Sequence, residues 1–141
     1  MGQFVWNQEW DTGFPNLDEQ HQRLLAEFND FLDAIHHGFH REHIANLLEF
    51  LVDFLEEHFE EEEIHMLATH YPRYLEHKAF HDSMRTRVLG LMDHFRDDPE
   101  VVATGVVEFV MDWMENHIRI EDKLMAKHLI QFSRKGTVPE F

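Results

Sequence analysis

The sequence predicts an all-α protein, an up-down-up-down antiparallel four-helix bundle with an N-terminal arm. Three observations lead to this prediction. Apolar residues recur every three to four positions over four long segments, which is the spacing of one face of an α-helix. Gly and Pro residues, which often interrupt helices, separate these segments. The connections between segments are short, so consecutive helices are expected to be antiparallel neighbours.

The N-terminal arm, residues 1–17, contains two tryptophans and has no clear period, and we expect it to lie against the helices that follow. The first helix is predicted to begin at about Asp18, because aspartate is a favoured N-cap residue. It is predicted to end at His37, with Gly38 as its stop, because glycine readily adopts the backbone conformation that ends a helix.

The other three helices are predicted from the same period and from the prolines that suit the first turn of a helix. They run from Arg41 to Ala68, from Pro72 to Arg96, and from Pro99 to Phe132. The sequence thus predicts one domain over residues 1–141, with the bundle at 18–132 and a tail at 133–141.

Charge and composition restrict the possible partners. The 141 residues include 12 Lys and Arg against 28 Asp and Glu, a formal net charge of −16, which argues against nucleic acid or an anionic membrane as partner. There is no cysteine, so a metal site must use nitrogen and oxygen ligands. No signal peptide or apolar run of membrane-spanning length is apparent. We therefore expect a cytoplasmic protein. We also expect it to be a monomer.

The apolar stripe of the second helix ends in polar residues. Leu47, Leu51 and Leu55 follow one another in steps of four, and the same line continues to His58 and Glu62. These two lie one turn apart on one face, a spacing that suits metal ligands. The stripes of the other three helices also include histidines, namely His21, His77, His81 and His117.

The glutamate run "HFEEEE" contains only one residue on this stripe, Glu62. Glu60, Glu61 and Glu63 fall off it. Because ionised carboxylates are seldom buried without a partner, these three are predicted to form a solvated acidic face.

The stripe histidines are expected to meet at one end of the bundle. They lie near the starts of the first and third helices and toward the ends of the second and fourth, and these ends coincide when helix direction alternates. Burying five imidazoles and a carboxylate without partners would cost several kcal/mol. A metal supplies the missing partner, and this ligand set suits iron, manganese or zinc. Five histidines indicate two ions.

Two ions sharing a site are usually bridged by carboxylates, so a second acid is expected in the fourth helix, within "HIRIEDK". On a regular helix Glu121, four residues after His117, is better placed, whereas Asp122 is rotated by about 140° from the histidine. A kink or π-bulge between His117 and Asp122 would instead bring Asp122 to the site.

The assembled pattern is a histidine after "DEQ", then HxxxE, HxxxH and HxxxxD on successive helices. It resembles the hemerythrins, and the bacterial single-domain form most closely. The resemblance implies a non-heme di-iron centre with an oxo or hydroxo bridge, and it selects Asp122 as the second acid. It implies that one iron is held by His77, His81 and His117, the other by His21 and His58, and that Glu62 and Asp122 bridge the two.

The resemblance also implies a function. One coordination position is left open on the iron with two histidines, and in the family dioxygen binds there reversibly. We therefore expect oxygen storage, delivery or sensing rather than catalysis. The family's pocket lining corresponds to Phe59, Trp113 and Ile118, all of them apolar.

Two alternatives remain. A di-iron enzyme acting on peroxide or nitric oxide would need a proton donor beside the open position, and the expected lining has none. A purely structural metal site is disfavoured by the open position.

Two shorter motifs are interpreted as decoys. His36 and His40 form an HxxxH motif, but Gly38 between them lies at a helix end, so a shared helical face is not expected. Glu62 and His65 form one Glu-x-x-His motif, whereas a ferritin-like di-iron site needs a second one on another helix. The other histidines are expected at the surface or boundary, namely His36, His37, His40, His43, His65, His70, His94 and His128.

Overall fold

The structure is a computed structural model that describes residues 4–38 and 41–133. Within these residues it is all-α, without strands, and each long helix packs against the next, which confirms the predicted bundle. The helices are α1 (Pro15–His36), α2 (Arg41–Ala68), α3 (Tyr74–His94) and α4 (Pro99–Asp112), which continues through a π-helical segment (Trp113–Asp122) into α5 (Lys123–Ser133). A short 3-10 turn, Gln8–Trp10, precedes them.

The start of α1 differs from the prediction. The helix begins at Pro15 rather than at Asp18, because proline has the fixed φ that suits a first helical position. Asp18 therefore lies in the first turn and is not the N-cap. Its Oδ1 accepts hydrogen bonds from Thr12 N at 2.8 Å and Thr12 Oγ1 at 2.7 Å. At the other end, Gly38 has φ +145° and follows the last turn, as predicted.

The remaining helix limits agree closely with the sequence prediction. Helix α2 has the predicted bounds, and α3 begins two residues after Pro72, which lies in the preceding turn. Helix α4 begins at Pro99, and the Asp98 side chain caps it by accepting a hydrogen bond from Val101 N at 3.2 Å.

The N-terminal arm packs on α1, as expected. Phe4 N donates to Asn29 Oδ1 at 2.8 Å, and Asn29 Nδ2 donates back to Phe4 O at 2.8 Å. The Phe4 ring stacks on Phe28 with centroids 5.8 Å apart, and Trp10 is buried.

Two apolar clusters form the core. The larger includes Leu47, Leu51 and Leu55, the predicted apolar stripe of α2. The smaller consists of Leu17, Met66, Tyr71, Met125 and Leu129. On α1, α2 and the fourth helix, the predicted polar stripe residues fall between members of the two clusters. The fold therefore holds these polar residues between two apolar layers.

None of the helices within residues 4–38 and 41–133 is both long enough and apolar enough to cross a membrane.

The core packing gives a matched test of stability. Leu51 is fully buried, whereas Leu75 is 79% exposed, and both lie in helices. We expect Leu51→Ala to lower the free energy of unfolding by about 2–5 kcal/mol, because it leaves a cavity. Leu75→Ala should change it by no more than about 0.5 kcal/mol. Urea denaturation followed by circular dichroism measures both values, and equal losses would contradict this packing.

Candidate metal centre

The seven candidate ligands predicted from the sequence meet in the interior of the bundle. Each exposes at most 3% of its surface. They come from all four helices of the bundle, with His117 and Asp122 supplied by the π-helical segment. The set is His21, His58, Glu62, His77, His81, His117 and Asp122.

Five of these side chains form one group whose ligand atoms all lie within 4.8 Å of one another. His77 Nε2 is 3.1 Å from Glu62 Oε1 and 3.1 Å from Asp122 Oδ1. His81 Nε2 is 3.1 Å from Glu62 Oε1 and 3.1 Å from His117 Nε2. His117 Nε2 lies 3.1 Å from Asp122 Oδ1. Three imidazoles and two carboxylates thus surround one position.

The second group contains two histidines and the same two carboxylates. His21 Nε2 and His58 Nε2 are 3.0 Å apart. His58 Nε2 is 2.7 Å from Glu62 Oε2, and His21 Nε2 is 3.2 Å from Asp122 Oδ2. Glu62 and Asp122 therefore each direct one oxygen to each group. This is the arrangement of two adjacent cation positions with shared carboxylates.

The π-helical segment, Trp113–Asp122, explains how Asp122 reaches the site. In a π-helix the backbone hydrogen bonds connect residues five apart along the chain. Asp122, five residues after His117, is therefore brought onto the same face as His117. The predicted irregularity is confirmed. Glu121, which a regular helix would favour, belongs to neither group, and its Oε2 instead lies 3.2 Å from an Nη of Arg73.

The buried polar atoms of the site fit metal ions. Within the described residues, Glu62 Oε2 and both carboxylate oxygens of Asp122 are buried without a hydrogen bond, although imidazole nitrogens lie nearby. Burial of such groups without partners is costly. Two imidazole nitrogens 3.0 Å apart can share only one proton, so at most one of the facing Nε2 atoms of His21 and His58 can act as the donor between them. Cations that accept lone pairs from imidazole and carboxylate would satisfy both sets of atoms.

The electrostatics of the site favour ionised carboxylates. Burial and the neighbouring Asp122 raise the pKa of Glu62, but His58 and His77 together hold it well below its usual value. Burial also raises the pKa of Asp122, and the histidines around it, His117 first, hold it well below its usual range. The two carboxylates are thus held as anions in the core.

The histidines respond differently to the same environment. Burial lowers the pKa of His77, but the adjacent carboxylates of Asp122 and Glu62 raise it to about 10. Burial likewise lowers the pKa of His58, and Glu62 outweighs this so that the net shift is upward. For His117 burial prevails, and its pKa is lowered. The pocket as a whole therefore stabilises positive charge near its carboxylates.

Two side chains that the sequence prediction missed form hydrogen bonds to the outer ring nitrogens of candidate ligands. His58 Nδ1 donates to Gln20 Oε1 at 2.5 Å, and His81 Nδ1 donates to Glu63 Oε2 at 2.7 Å. The amide oxygen and the ionised carboxylate can only accept, so both rings carry the proton on Nδ1 and present the Nε2 lone pair to the site. Gln20 is the last residue of the "DEQ" that precedes His21, but the sequence prediction gave it no role.

The prediction of a solvated acidic face is wrong for Glu63. Its side chain is only 14% exposed, because it lies at the α2–α3 boundary, where it contacts His81 and Arg85. Glu61 is partly buried, and its Oε2 accepts from Gln20 Nε2 at 3.2 Å. Glu60 is exposed, as expected.

The three expected lining residues, Phe59, Trp113 and Ile118, are fully buried in the larger cluster. Phe59 stacks on His81 with ring centroids 3.9 Å apart and planes at 4°. The Trp113 centroid is 6.2 Å from that of His58. Phe54 also contacts the site, stacking on His58 at 5.2 Å, and the sequence prediction missed it.

Two of the histidines predicted at the surface or boundary form hydrogen bonds to backbone carbonyl groups. His65 is buried, and its Nδ1 donates to Glu61 O at 2.7 Å. His128 Nε2 donates to Thr69 O at 2.9 Å. His40, part of one decoy motif, lies outside the described residues.

Comparison with known proteins agrees with this geometry. Residues 12–129 match the family described as the hemerythrin HHE cation binding domain. The bacteriohemerythrin of Clostridium acetobutylicum is 25% identical over 85% of this chain and 96% of the relative. That of Methylococcus capsulatus is 31% identical over 88% and 95%. That of Pseudomonas aeruginosa strain LESB58 is 32% identical over 86% and 78%. The chain belongs to the hemerythrin family.

Proposed function

We propose that this protein binds dioxygen reversibly at a non-heme di-iron centre, for oxygen storage, delivery or sensing. The observation that carries the proposal is the pair of buried ligand groups that share Glu62 and Asp122. One iron would be held by the three-histidine group and the other by the two-histidine group. The family match supports iron over the other metals that such ligands accept.

The two groups differ by one imidazole, and this difference gives the site its function. Both share the same two carboxylates, but His21 and His58 are the only histidines of the second group. The iron beside these two histidines would therefore keep the coordination position that an external ligand can take. When bound, a pair of ferrous ions supplies the electrons that dioxygen binding requires.

The surroundings of His58 favour reversible binding over catalysis. Phe54 stacks on its ring, Trp113 lies nearby, and its Nδ1 is bonded to the neutral amide of Gln20. None of these three groups is a Brønsted acid near neutral pH. An enzyme acting on peroxide or nitric oxide would need a general acid at the open position. The Phe54 and Trp113 rings and the Gln20 amide therefore offer no proton to a ligand bound beside His58.

Oxygen binding can be tested directly by metal analysis and visible spectroscopy. Purified protein loaded anaerobically with ferrous iron should hold about two irons per chain, as the two ligand groups require. A visible absorption band should appear in air and disappear when oxygen is removed. Two bound irons without a reversible band would contradict oxygen carriage, and turnover of peroxide or nitric oxide would instead support the enzyme alternative.

A matched pair of variants within the glutamate run controls this test. Glu62→Ala removes a carboxylate shared by both groups and should abolish the band. Glu60→Ala removes an exposed carboxylate two residues earlier and should leave it unchanged.

The role of the π-helical segment gives a second prediction. Asp122→Ala should lower iron content sharply, because both ligand groups lose an oxygen donor. Glu121→Ala removes the ion pair with Arg73 but no shared carboxylate, so the variant should retain both irons and change the stability of the protein little. Iron content by mass spectrometry and thermal unfolding measure the two effects. Iron loss in Glu121→Ala, with retention in Asp122→Ala, would show that the helix is regular here.

A further inference from the structure

The contact between His81 and Glu63 stands apart from the rest of the site. His81 Nδ1 donates to Glu63 Oε2 at 2.7 Å, a charge-assisted hydrogen bond made almost out of solvent. The bond joins α3 to α2 on the side of His81 that faces away from the candidate metal positions. Glu63 therefore contacts the candidate ligand His81 and belongs to neither candidate metal-binding group.

A second set of contacts fixes Glu63 and the His81 ring in place. Arg85 Nη2 donates to Glu63 Oε2 at 3.0 Å, and Arg85 Nη1 donates to Asp82 Oδ1 at 2.8 Å. The Arg85 guanidinium carbon also lies 5.3 Å from the Phe59 ring centroid, and Phe59 stacks on His81. Arg85 thus holds the Glu63 carboxylate in place, and Phe59 covers one face of the His81 ring.

None of the other four candidate histidine ligands is supported in this way. His58 is bonded to the neutral Gln20 amide. Within residues 4–38 and 41–133, the buried Nδ1 atoms of His21, His77 and His117 have no hydrogen-bond partner. Among the five candidate histidine ligands, only His81 donates a hydrogen bond from Nδ1 to a carboxylate. The two candidate metal positions therefore differ in two ways: in the number of histidines, and in the negative charge that Glu63 places behind one histidine of the three-histidine group.

We propose that Glu63 is a positioning residue that orients His81 and makes the three-histidine iron easier to oxidise than it would otherwise be. This inference rests on the proposed function. A hydrogen bond from a ligating imidazole to a carboxylate fixes the tautomer and raises the basicity of the ligand. A more basic ligand stabilises the higher charge of the ferric ion. Glu63 thereby helps to set the reduction potential at which the site takes up oxygen.

The central variant is Glu63→Gln, which preserves size and a hydrogen-bond acceptor but removes the negative charge. We expect its midpoint potential, measured by redox titration of the iron-loaded protein, to be higher than that of the wild type. Glu63→Ala also removes the acceptor, and its affinity for zinc should fall by about 10–100-fold, measured by competition with a chelator.

Two control variants separate this role from a structural one. Glu60→Gln makes the same change at an exposed position of the same run and should alter neither quantity. Arg85→Gln breaks the ion pairs of Glu63 but leaves its bond to His81, so it should not raise the potential. If Glu63 only anchored α3 to α2, Glu63→Gln and Arg85→Gln would lower stability alike while both kept the wild-type potential.

The outcomes also distinguish this inference from the proposed function. A wild type that binds iron but not oxygen contradicts the proposed function, and the potentials of its variants still test Glu63. If the wild type does not bind iron, the role of Glu63 is still tested by comparing the zinc affinities of Glu63→Ala and Glu60→Gln. A wild-type potential in Glu63→Gln, or a wild-type zinc affinity in Glu63→Ala, overturns the role of Glu63.

Discussion

The structure depends on how it compensates seven ionisable side chains buried at one place in its interior. Each carboxylate and imidazole there has lost most of its contact with water, and several of their atoms have no hydrogen-bond partner within the described residues. Such burial is tolerated only when another charge supplies the lost interactions. Two cations between shared carboxylates would do so, and they would also tie the four helices together, since every helix contributes a ligand.

The rest of the bundle serves this requirement. Along α1, α2 and the fourth helix, the polar residues of the site lie between members of the larger and of the smaller apolar cluster. The π-helical segment places Asp122 opposite Glu62, so that each carboxylate presents an oxygen to both ligand groups. One ligand group has three histidines and the other has two, and the rings of Phe54 and Trp113 lie beside His58 of the two-histidine group.

Much of the fold and of the ligand set could be predicted from the sequence, because both follow from a period of three to four residues. The limits of α2 and the start of α4 came from this period and from proline chemistry. Helix α1 begins before Asp18 because Pro15 suits the first helical position, as Pro99 does in α4. Glu63 and Gln20 could not be found this way, because their roles depend on contacts between helices. The π-helical segment was indicated only by the conflict between helical phase and family resemblance.

The most direct test of this account is the position of the metals. Anomalous diffraction at the iron absorption edge, from crystals of the iron-loaded protein, locates each iron and the side chains that bind it. Two peaks are expected, with Glu62 and Asp122 each contacting both irons. One iron should contact three histidines and the other iron two. A single peak, or two peaks without a shared carboxylate, would contradict this arrangement.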